Sequence, residues 1–138
     1  MAYEISLFSD GNVSFLAVSV QAGPEGIAAG QICSWSQAAP GRIRPAPTAG
    51  NEHDLPAGVA VSDFVADGWG WLATGGVVYV LPESGVTAAA GWVILCSDEE
   101  AGRASQRESV PPAIAYNVVG RWIENGAGPG VPARAMLS

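Results

Sequence analysis

The chain has one histidine, His53, which sits in the stretch NEHDLP between Glu52 and Asp54. A histidine beside carboxylates is what a general base with an orienting acid needs, and also what a metal site needs. Either role requires the groups to converge. Consecutive side chains of an extended segment point to opposite sides, so these three neighbours cannot close on one ion. His53 therefore reads as a solvated loop residue. The acids of SDEE, Asp98 to Glu100, fail as a calcium loop for a similar reason. Such a loop alternates its oxygen ligands around a central glycine, and here the acids are consecutive. The glycines of GAGPG, Gly126 to Gly130, precede no helical pattern and cannot cradle a phosphate at a helix start. No serine occupies a Gly-x-Ser-x-Gly elbow. Cys33 and Cys96 lack zinc-like spacing and read as small buried apolar side chains on strands in a reducing compartment. The residues thus predict no catalytic set, no metal and no cofactor, and the chain is expected not to be an enzyme.

Five tryptophans remain: Trp35, Trp69, Trp71, Trp92 and Trp122. Trp92 and Trp122 read as core. Trp69 and Trp71, in GWGWL, fall on the same face of a strand, where paired rings can anchor an oligomer or partner interface or stack on sugars. Charge narrows the choice of partner. The net charge is −7, lysine is absent, and the six arginines are scattered. Binding a phosphate backbone or an anionic membrane needs clustered positive charge, so neither nucleic acid nor membrane is expected. The N-terminal MAYEISLFSDGNVSF has no basic and apolar signal pattern, and runs such as GGVVYVL are too short to span a bilayer. Synthesis in a host cytoplasm is the expectation.

The elements that position these residues are strands. The chain has 138 residues, one domain by length, with 49% apolar and 14% charged residues. With so few charges, much surface is expected to be hidden against copies or a partner. EISLFS and NVSFLAVSV alternate around Asp10-Gly11, a strong hairpin signal. Strands follow near Gln31 to Ser36, Arg42 to Arg44 and Val59 to Ser62. WGWLATGGVVYVL reads as two strands broken at Gly75-Gly76. Pro45 to Pro56 reads as a loop. GQICSWSQAAPGR, Gly30 to Arg42, is echoed 61 residues later by GWVILCSDEEAGR, Gly91 to Arg103, and each copy passes through a Cys-Ser. The cysteines thus hold matched places, and Gly58 answers Gly120. No stretch carries a helical period. The expectation is an all-β chain of about ten short strands: a small β-barrel or β-clip-like domain with an internal pseudo-repeat and little or no helix. Residues 1–22 form an N-terminal hairpin or arm. Residues 23–138 form a single domain with repeats at about 26–74 and 85–138.

From about Gly26 to Ser138 the sequence resembles the decoration, or cement, proteins of tailed-bacteriophage heads. AGVAVSD, GGVVYV, GVTAAAGWVILCSDEEAGRASQ and VVGRWIENGAGPGVPARAMLS carry the resemblance in order. It implies a non-enzymatic structural virion protein on the capsid exterior. Such a protein binds the major capsid protein, commonly as a homotrimer, and stabilises the mature shell by clamping neighbouring subunits. The stronger N-terminal hairpin and the inserted loop Pro45 to Pro56 depart from the family pattern. If the family's N-terminal arm adds a strand to the capsid, Tyr3, Ile5 and Leu7 are the residues placed to fill pockets. The same segment can equally be the first strand of the domain. Another virion module (head fibre, tail or baseplate) or a glycan-binding β domain using the surface tryptophans is the alternative.

Overall fold

The computed structural model describes residues 5–9, 12–48, 55–110 and 118–138. They form ten strands: β1 (Ile5–Ser9), β2 (Ser14–Ala22), β3 (Ile32–Trp35), β4 (Arg42–Pro45), β5 (Pro56–Ala60), β6 (Trp69–Val80), β7 (Val93–Cys96), β8 (Ala104–Arg107), β9 (Val118–Trp122) and β10 (Ala133–Leu137). No helix occurs among the described residues, and the chain is all-β as its patterning implies. Strands β1 and β2 pair antiparallel, Ser9 opposite Ser14. The Asp10-Gly11 turn itself lies outside the described residues.

The strands make one sheet ordered β1-β2-β4-β3-β5-β6-β10-β9-β7-β8, with β2 also paired to β6. That extra pairing rolls β2, β4, β3, β5 and β6 into a closed five-stranded barrel, which leaves no open edge among them. Val20, Ala22, Cys33, Ile43, Ala60, Phe64 and Leu72 fill it.

Strand β6 differs from the sequence expectation. It is not broken at Gly75-Gly76 but runs for 12 residues. The ladder of β2 spans the glycine pair, from Ser14 opposite Val77 to Gln21 opposite Trp69, with an irregularity between Leu16 and Ala17. Gly76 bends the strand at φ 91°, and a Cβ there would lie 2.8 Å from the Phe15 Cα. The glycines therefore let one strand change partners: Leu72 and Ala73 pair with β5, and Gly76 to Val80 pair with β10.

The second half of β6 serves the second half of the chain as β2 serves the first. Val18 and Val20 face Leu72 and Gly70, while Val78 and Val80 face Ala135 and Ala133. Ala22 pairs parallel with Ile43, and Pro82 bridges Ala104 in the same sense. The hydrogen bonds repeat as well. Ser36 N donates to Arg42 O at 2.8 Å, and Ser97 N donates to Arg103 O at 3.0 Å. The hydroxyls of Ser36 and Ser97 accept from Ala39 N (3.1 Å) and Glu100 N (3.0 Å). Gly30 and Gly91 have φ 86° and 85°, and Gly41 and Gly102 have 82° and 75°. In this correspondence the partner of Cys33 is Ile94 and that of Cys96 is Trp35, so the two Cys-Ser pairs are not equivalent. The core of the second half, with Val78, Val80, Ile94, Trp122 and Ala135, also takes in Ala17, Ile32, Val59 and Ala73 from outside the first barrel. The two halves thus share one core.

Candidate functional site

Strand β6 carries Trp69 and Trp71 on the outer face of the first barrel, since Gly70 between them covers the Phe64 ring of the interior. Their surroundings differ. Trp71 is half-buried and lies edge-on to Phe8, ring centroids 5.4 Å apart. Phe8 in turn stacks on Phe15 at 5.3 Å. Hairpin β1–β2 therefore lays an aromatic cover over Trp71. Trp69 is open to solvent, 58% exposed.

Polar groups flank Trp69 in register. Gln21 is its partner on β2, and Arg42 is the partner of Gln21 on β4, so the three side chains form one row across three strands. Asp67 closes the row. Its carboxylate pairs with the Arg42 guanidinium, and its backbone oxygen accepts from Gln21 Nε2 at 2.8 Å. Asp67 N donates to Gly23 O (3.0 Å), and Ala22 N donates to Gly68 O (2.8 Å), which pins this turn to β2. Asp67 alone among the described non-glycine residues has positive φ, 60°.

A second face belongs to β1, the terminal strand of the sheet order. Its outer edge has no neighbouring strand among the described residues. Leu7 is 70% exposed, and its partner Leu16 on β2 is 47% exposed. Of the arm residues singled out in the sequence, Leu7 is on this exposed face, Ile5 begins β1, and Tyr3 lies outside the described residues. His53, Glu52 and Asp54 also lie outside them.

Two acidic clusters are ordered differently. Glu100 accepts from Ser84 N at 2.7 Å and from the Ser84 hydroxyl, and these bonds hold its carboxyl below the usual range. Half-burial pushes the carboxyl of Glu83 up, and nearby Glu99, Glu100 and Asp98 add to the shift. Glu124 accepts from Arg134 Nη2 (3.0 Å), Nε (3.2 Å) and backbone N (2.7 Å), and these bonds hold its carboxyl low. Burial raises the thiol of Cys33 to about 12 and that of Cys96 to about 11, so neither is a nucleophile at neutral pH. No group of three His, Cys, Asp or Glu among the described residues could hold a metal ion. Nor is any helix among them long and apolar enough to cross a membrane. Two surface features remain, the row at Trp69 and the outer edge of β1.

The row beside Trp69 is not legible in the sequence. Gln21, Arg42, Asp67 and Trp69 are spread over 49 positions, and only strand register brings them together.

No protein-family model matches the chain, and no curated protein does. Among solved structures the fold is similar to that of the head fibre gp8.5 N base of bacteriophage phi29. The TM-score is 0.58 at 19% identity, over 88% of this chain and 94% of that one. The likeness extends over nearly the whole length of both chains.

Proposed function

We propose that the chain is a structural module of a tailed-phage virion, without catalytic activity, that attaches to the outside of the head. The observation that carries this reading is the fold likeness to a head fibre base across nearly the full length of both chains. The low charge agrees with it.

On this reading the open edge of β1 is the contact with the major capsid protein. An edge strand offers unpaired backbone groups to an extended segment, and alternate side chains such as Leu7 fill pockets. Binding the mature shell and not the disrupted one stabilises the shell by mass action, repeated at every site. Assembly as a homotrimer would let three weak contacts act together. The head fibre likeness favours one further reading, in which the chain is the anchoring base of a fibre and stabilises nothing.

Thermal rupture of filled heads, followed by DNA release, separates the two. Cement raises the rupture temperature when added, and Leu7→Asp loses that effect. A fibre base binds and leaves the rupture temperature unchanged.

A further inference from the structure

We propose that Trp69, Gln21 and Arg42, closed by Asp67, form a carbohydrate-binding platform for a neutral pyranoside. This assignment goes beyond head attachment and does not depend on it. Trp69 is the most exposed of the exposed tryptophans, 58% against 43% for Trp35, and it stands on a barrel strand and not on a loose loop. An exposed indole suits the C–H face of a sugar ring, which is apolar and rigid.

A sugar also presents vicinal hydroxyls, each both donor and acceptor. The row supplies both kinds of partner: the Gln21 amide and Arg42 guanidinium donate, and the Asp67 carboxylate accepts. These groups are held before any ligand arrives. Gln21 is tied to Asp67 at 2.8 Å, Arg42 is paired with its carboxylate, and the turn is pinned to Gly23 and Ala22. Preorganisation lowers the cost of binding.

The backbone of Asp67 points the same way. At φ 60° glycine fits without strain, and aspartate costs of order 1 kcal/mol there. What aspartate adds is the carboxylate facing Arg42. The charge of Arg42 is offset by Asp67, and the whole chain carries −7, so an anionic glycan is repelled and a neutral one is not. The platform is open and not a cleft, which sets the affinity near the millimolar range, useful when many copies act together.

The test uses the whole chain. Cellotetraose, maltotetraose and chitotetraose are titrated against it by tryptophan fluorescence, and contacts are read by saturation-transfer NMR. At least one is expected to bind with a Kd of about 1 mM. Trp69→Ala and Asp67→Gly should each weaken binding at least about tenfold, with the thermal midpoint kept, because Asp67→Gly also relieves strain. Trp35→Ala should leave binding unchanged. No saturable response from any of the three at about 20 mM overturns the proposal, as does binding that survives Trp69→Ala. Tighter binding of tetragalacturonate overturns the neutral-ligand assignment. Trp69-dependent self-association without a sugar response assigns the ring to a protein contact and also overturns it.

Discussion

At the scale of single residues, burial decides which groups are inert and which are poised. Cys33 is fully buried in the barrel and donates its thiol to Gln31 O at 3.5 Å. With both thiols raised, native protein should resist a thiol reagent at pH 8, and both cysteines should label on unfolding. Labelling of the folded protein at the rate of a free thiol would contradict this placement. Cys33→Ser should cost about 1–3 kcal/mol, because a hydroxyl loses more water on burial than a thiol and regains only the bond to Gln31 O, and Cys33→Ala should cost less than that. Glu83 offers a prediction of opposite sign. Its folded carboxyl lies above its unfolded value, so the ionised form disfavours the fold. The stability lost is zero below the unfolded pKa, about 4.3, and complete once pH exceeds the raised folded value. Glu83→Gln should therefore raise the thermal midpoint at pH 7 and match the parent at pH 4. Equal midpoints at both pH values would show that Glu83 is not held against its ionised form. None of this was legible in SDEE and its surroundings, because the acids gain their meaning from Ser84 and from burial next to β8.

At the scale of elements, glycines fix where strands cross closely. Gly58 on β5 and Gly120 on β9 hold corresponding positions. A Cβ on Gly58 would overlap Ala73 O and lie 2.8 Å from Leu72 Cγ. One on Gly120 would overlap Met136 O and lie 3.0 Å from Leu137 Cα. Backbone cannot step aside as a side chain can, so Gly58→Ala and Gly120→Ala should each cost about 2–3 kcal/mol by chemical denaturation. Gly75→Ala should cost under about 1 kcal/mol, since a Cβ there meets nothing within 4 Å. A similar cost at all three would contradict the close crossings. Much of this level was legible. Gly30, Gly41, Gly91 and Gly102 mark the same turns by spacing alone, because positive φ demands glycine. Gly75-Gly76 misled because the same dipeptide that ends a strand can also bend one. Only the ladder of β2 across it decides between them, and pairing partners are not written locally. The correspondence of Val18 and Val20 with Val78 and Val80 is hidden in the sequence for a related reason. Val-x-Val marks any half-buried strand and identifies none.

At the scale of the whole molecule, the chain joins its two halves through β6. The second half of that strand opens the second unit and its first half closes the first. A shared strand and shared core make separate unfolding of the halves unfavourable, so a single thermal transition is expected by both calorimetry and tryptophan fluorescence. Two transitions would contradict the shared core. Among the described residues the outer edge of β1 has no strand beside it, and the proposed capsid contact uses that edge. The binding row at Trp69 was illegible in sequence for the reason that makes it rigid: its members come from β2, β4, β6 and the turn before β6. Co-sedimentation of the purified protein with expanded, DNA-filled heads and with unexpanded proheads tests attachment to the phage head. Saturable binding to the expanded heads, with a fixed number of copies per shell and little on proheads, is the predicted result. Absence of binding to either particle would contradict it.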